Sequence, residues 1–162
     1  MAAVSDSSPL ILYGRIGRLD LIHAVFGDIF VPPAVWREVV IDGAGKSGAS
    51  DVAQASWIHQ RPLHNAGPLS RIRALHPGES EAIIVAAASE PPLAVLLDDS
   101  DARQVAEDLG LVVVGSGGLL VLAKNQGYLP AIAPLLADLQ SAGLFLGRAT
   151  ANRNRILERA GE

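Results

Sequence analysis

Of the seventeen acidic side chains in this chain of 162 residues, seven fall at four stations that could carry chemistry: Asp6, Glu38, the pair Glu79 and Glu81, and the run Asp98, Asp99 and Asp101. Two carboxylates drawn within about 5 Å of one another repel by roughly 3 kcal/mol at an effective dielectric near 20, so a cluster of them requires protons or divalent cations. A site built from oxygen donors alone favours magnesium or manganese. There is no cysteine, which excludes a disulfide frame, a thiolate zinc site and a cysteine nucleophile. His23, His59, His64 and His76 show no regular metal-ligand spacing, and no Gly-x-Ser-x-Gly or phosphate-cradling motif is present. Gly115-Ser116-Gly117-Gly118 follows an apolar run but lacks the lysine of a nucleotide loop, and reads as a tight strand-to-helix turn.

Each acid also has a plainer reading. Asp6 precedes Ser7-Ser8-Pro9 and could simply cap a helix. Glu79 and Glu81 fall in a first helical turn, where acidic residues complement the helix dipole, and they sit about 200° apart around the axis, so they do not face one site together. Glu38 lies beside a Val35 and Val39 stripe, at a position that solvent could claim. Capping accounts less well for three aspartates among the four positions from Asp98 to Asp101. Ser7 and Ser8 could orient a ligand or cap a helix, and Arg103 could steady a phosphate or lie on a helix surface.

The elements that would position these side chains alternate. A strand over Ala2 to Asp6 feeds a helix at Ser7-Ser8-Pro9, and a strand near Ile29 to Val31 runs through Pro32-Pro33 into a helix reaching Val40. Asp42 to Ser50 reads as a loop, and a short strand follows at Trp57 to His59. A helix from Glu79 to Ser89 precedes the apolar strand Leu93 to Leu97, and Asp98 to Ser100 opens a further helix ending near Gly110. Leu111 to Val114 is another strand, with helices over Gly118 to Gln126 and Pro130 to Ala142. Such alternation with continuous apolar strands implies an α/β fold with a central parallel sheet covered on both faces. Ligands bind such sheets beyond the carboxyl ends of the strands, where Asp6, Asp98 and Asp99 fall. The expected organisation is one domain over 1–147 with a tail over 148–162, as a helix or a frayed end.

Thirteen basic against seventeen acidic residues exclude a protein that coats nucleic acid through bulk charge. The tail is the local exception, with Arg148, Arg153, Arg155 and Arg159 against Glu158 and Glu162, a patch for RNA phosphates, an acidic partner or solvent. A 49% hydrophobic composition and a mean hydropathy of +0.30 suggest apolar surface covered by another chain, and a homodimer or partner complex is expected. The stretch from Leu109 to Ala123 is too short and too glycine-rich to span a bilayer, and no basic residue precedes Asp6 as a secretory leader would require. No membrane association and a cytoplasmic location are expected.

Four segments in this order resemble a subgroup of the PIN-domain superfamily, close to the VapC-like toxins. They are Val-Ser-Asp6-Ser-Ser-Pro-Leu, Val-Pro-Pro-Ala-Val-Trp-Arg-Glu38-Val, Gly-Glu79-Ser-Glu81-Ala-Ile and Leu-Leu-Asp98-Asp99-Ser-Asp101-Ala-Arg103. The likeness extends from residue 4 to about residue 145 and takes in Ala-Lys-Asn-Gln-Gly-Tyr-Leu-Pro. The resemblance implies a three-layer α/β/α fold whose acids hold one or two magnesium or manganese ions. It implies catalytic roles for Asp6, Glu38, Glu81 and Asp99 and metal binding by Asp6, Glu81, Asp98, Asp99 and Asp101, with either Asp98 or Asp99 as the principal ligand. Substrate contacts would come from Ser7, Ser8 and Arg103. The implied activity is metal-dependent cleavage of RNA, the ion acidifying a water for in-line attack on a phosphodiester. The implied setting is the toxin half of a toxin–antitoxin pair, with an antitoxin protein as partner. Two rivals remain: a binding module with a vestigial acidic edge, and a magnesium phosphohydrolase with an aspartyl nucleophile.

Overall fold

The computed structural model describes residues 1–64 and 72–162. Ala3–Ser5 forms β1 at the centre of a five-stranded sheet; β2 (Ile29–Val31) and β3 (Ile58–Gln60) lie on one side of it, β4 (Ala94–Leu96) and β5 (Val113–Val114) on the other. All four neighbouring pairs are parallel, and Ser5 stands opposite Leu96 in register. Parallel neighbours cannot be joined by tight hairpins, so each crossover carries helix. These are α1 (Ser7–Arg15) and α2 (Leu19–Phe26), α3 (Pro33–Trp36) and α4 (Ala49–Gln54), α5 (Pro77–Ala88), and α6 (Ser100–Asp108). Beyond β5 come α7 (Ser116–Asn125), α8 (Ala133–Ala142) and α9 (Ala149–Arg159).

The period-2 alternation of the strands divides the core between the two faces of the sheet. Ala3, Ile29, Val31 and Leu96 pack with side chains of α1, α2, α7 and α8, while Val4, Val95 and Leu97 pack with α5 and α6. The result is the parallel α/β arrangement with helices on both faces that the alternation implied.

Three local features differ from, or were absent in, the sequence reading. α2 is an additional helix between β1 and β2. The helix entered at Pro33 does not continue as regular α-helix to Val40 but widens into a π-helical turn over Arg37–Ile41, where the Asp42 amide donates to the Arg37 carbonyl at 2.8 Å. The expected loop then ends in α4. That segment is held by a glycine contact between α1 and the entry to α4: a Cβ built on Gly14 would stand 3.0 Å from Gly48 Cα. The tail is α9, which joins the same core through the buried Ala160, with Ile156 and Leu157 packed beside it.

Candidate acidic active site

The order of strands reverses between β1 and β4, the place in an open parallel sheet where a crevice forms at the carboxyl ends. Asp6 follows β1 directly, Asp98 and Asp99 follow Leu97 just beyond β4, and the register of Ser5 with Leu96 brings the two strand ends side by side. Asp6 occupies the N-cap position of α1, yet its side chain makes no capping bond. It is 5% exposed, and burial pushes its carboxyl up to about 7; the Ser7 amide opposes the rise, and the charges of Glu79, Glu38 and Asp98 add to it. Three other carboxylates thus act on it electrostatically.

Two contacts fix that neighbourhood. Ser7 Oγ, in the first turn of α1, donates to Glu38 Oε2 at 2.6 Å and so draws the π-helical turn to the end of β1. Gly78, in the first turn of α5, lies so close to Asp6 that an added Cβ would stand 2.8 Å from its Oδ1. Wide helical turns of the kind that presents Glu38 are rare and concentrate at functional sites. Ser8, by contrast, is exposed.

The two glutamates of α5 separate as their spacing required. Glu79 turns toward the acidic edge: it is 9% exposed, it accepts from the His76 amide at 3.1 Å, and its pKa is raised by burial and by the charges of Asp99 and Glu38. Glu81 turns toward α3, where its Oε2 accepts from the Ala34 amide at 2.8 Å. That bond satisfies an amide at the open end of α3. Glu79 thus shares the electrostatics of Asp6 and Glu38, although its place in a first helical turn gave it an ordinary dipole role. The signal available in the sequence was the 200° offset from Glu81, which said that one of the two faces the site without saying which.

The carboxylates after β4 are each engaged by a helix start. Asp98 accepts from the Ser116 amide at 2.7 Å and from Ser116 Oγ at 2.6 Å, binding the start of α7 to the end of β4. Burial raises its pKa, while the Ser116 bonds and Arg103 oppose that rise. Asp99 caps α6, its Oδ1 accepting from the Asp101 and Ala102 amides, both at 2.9 Å. Asp101 is exposed in the first turn of α6. Arg103 sends Nη1 to the Leu97 carbonyl at 3.0 Å and packs against Gly115, whose hypothetical Cβ would meet it at 2.6 Å.

Hard oxygen donors that outnumber the cations beside them, Arg103 near Asp98 and His76 near Glu79, are chemically suited to magnesium or manganese. As they stand, however, no three Asp, Glu or His side chains among the described residues gather closely enough to hold an ion. The hydrogen bonds give the reason: Asp98, Asp99 and Glu81 are each drawn toward backbone amides rather than toward a common point. Beside the edge opens a cleft of about 480 Å³ whose lining includes Pro33, Arg37, Glu38, His76, Gly78 and Glu81. No helix among the described residues is long and apolar enough to cross a membrane.

A family model described as a PIN domain matches residues 2–162. Among solved structures, the chain is similar to a PilT N-terminus domain protein from the hyperthermophilic archaeon Sulfolobus solfataricus P2, with a TM-score of 0.57 and 21% identity, covering 78% of this chain and 95% of that one. At that identity the likeness is one of fold. No curated protein matches the chain.

Proposed function

This chain belongs to the PIN-domain family, and from that membership we propose that it is a metal-dependent endoribonuclease whose working edge comprises Asp6, Glu38, Glu79 and Asp99. The observation that carries the proposal is the buried Asp6 carboxyl, raised to about 7 among like charges at the switch point of the sheet. The Ser7 amide offsets only part of the cost of a charged carboxylate buried there, so the arrangement suits a group that completes its charge on binding a divalent ion.

A bound magnesium or manganese ion would supply charge neutralisation at an RNA phosphodiester and acidify a water for the attack. Asp6 and Glu79 would hold it, with Asp98, Asp99, Asp101 and Glu81 as further oxygen donors once Asp98, Asp99 and Glu81 release the backbone amides they accept from. The protein's own part is positional. Ser7 holds Glu38 against the site, where its free carboxylate oxygen can take a proton from an attacking water. Arg103, tied to the Leu97 carbonyl, keeps the β4 end in place beside Asp98.

As its biological setting we propose the toxin component of a toxin–antitoxin pair, acting as a homodimer and covered by an antitoxin protein. What supports this is the large apolar residues left exposed, among them Ile41, Val112, Tyr128 and Phe145. The test is cleavage of a structured RNA panel with manganese or magnesium, with EDTA and Asp6→Asn as controls. Metal-dependent cuts lost in both controls support the nuclease. A second reading, an RNA- or protein-binding module that does not cut, is favoured by the dispersed carboxylates after β4; folded protein that retains RNA yet cuts with neither metal would establish it.

A further inference from the structure

The cations of this chain are unevenly placed. Residues 148–162 carry four arginines against two glutamates, whereas residues 1–147 carry nine basic against fifteen acidic residues. These four arginines lie on or directly before α9, and none of them has an ion pair or side-chain hydrogen bond among the described residues.

The direction of α9 gives that concentration a place. Ile156 seats against Gly117 at the start of α7, where a Cβ on the glycine would stand 2.7 Å from Ile156 Cδ1. At the other end, Glu162 binds Lys124 Nζ at 2.7 Å, near the end of α7. The two helices therefore run side by side in the same direction, and everything in α9 before Ile156 projects past the N-terminus of α7. That N-terminus is Ser116, the residue bonded to Asp98. At 1.5 Å per residue, Arg155 lies about level with Gly117, whereas Arg153 lies about 4.5 Å and Arg148 about 12 Å beyond that level, on the side of the acidic edge. Arg159 lies the other way, toward Lys124.

We infer that Arg148 and Arg153 form a phosphate-gripping arm that holds the single-stranded RNA backbone flanking the phosphodiester presented to the acidic edge. The inference rests on the ribonuclease reading. An acidic edge repels a polyanion except at the phosphate that a metal neutralises, so the neighbouring phosphates need cationic support from outside the cluster. The arm supplies it without lowering the charge density at Asp6. The packing of α9 through Ile156, Leu157, Ala160 and the bond from Asn152 Nδ2 to the Leu146 carbonyl leaves both arginines free for it.

The experiment is binding of a fluorescent twelve-nucleotide single-stranded RNA in EDTA, as a function of salt, by wild type, the double variant Arg148→Gln/Arg153→Gln, and Arg159→Gln. The double variant is expected to bind about tenfold more weakly, with the slope of log affinity against log salt reduced by about 0.7 for each lost phosphate contact, while Arg159→Gln binds as wild type does. An Arg159→Gln loss equal to that of the double variant would reveal a bulk charge effect and overturn the arm. Cleavage by wild type with unchanged RNA binding in the double variant overturns the arm alone. Failure of wild type both to bind and to cut removes the ribonuclease reading and the arm with it.

Discussion

Asp6 links the site to stability. Its carboxyl is raised from an ordinary value of 3.8 to about 7 in the fold, so the folded state binds this proton more tightly than the unfolded chain. The resulting stabilisation is complete below about pH 4 and is lost as pH rises toward and through 7. In EDTA the protein is expected to lose roughly 3 kcal/mol of stability between pH 5 and pH 8, at 1.36 kcal/mol per pKa unit. Asp6→Asn should flatten that profile and melt higher than wild type at pH 8; a wild-type stability that rises over this range would contradict the raised Asp6 carboxyl. Asp98 behaves differently because Ser116 holds both of its oxygens. Asp98→Ala should cost about 2 kcal/mol in urea unfolding, whereas Glu38→Gln should leave stability near wild type and lower cleavage by about a hundredfold.

At the scale of elements, the site depends on helices being brought close to strand ends by residues that have no chemistry. Gly48 has φ of 86° and stands so near α1 that a Cβ there would lie 2.6 Å from Gly14 Cα. Gly48→Ala therefore meets both a left-handed backbone and a backbone clash, and should destabilise the fold by about 2 kcal/mol or more, read as a lower urea midpoint. Gly78→Ala is expected to be milder for stability but to disturb Asp6, because the nearest atom is the Asp6 carboxylate itself. Its signature would be lost divalent-ion stabilisation in a thermal melt of a protein that still folds. The strand-and-helix alternation was legible from apolar runs and punctuation by proline and glycine. α4 and the π-helical turn were not, since both answer to contacts with α1 that a local window does not contain.

For the whole molecule, α9 is integral to the body. Ala160 is buried in the core, Ile156 and Leu157 pack on it, and Glu162 accepts from the Ile132 and Ala133 amides at the start of α8. The Glu162 carboxyl is held below its usual range by Lys124 and those amides, so its contribution is present at neutral pH and weakens as pH falls through the acid range. Removing residues 148–162 should lower the melting temperature and expose apolar surface, seen as increased dye binding. A truncated chain as stable as the full one would mark the segment as an appendage.

The order of residue types determined a great deal: an α/β sheet with helices on both faces, acids at the carboxyl ends of two strands, and no thiol chemistry. These follow from periodicity and composition, which are local. Only the tertiary structure decided that the Asp6 carboxyl is buried near the charges of Glu79, Glu38 and Asp98, that Glu81 accepts from the Ala34 amide, that Asp98 binds Ser116, and that Ile156 of α9 seats against the start of α7. Each of these depends on which face of one element meets another, and that is fixed by packing across many residues rather than by any spacing along the chain.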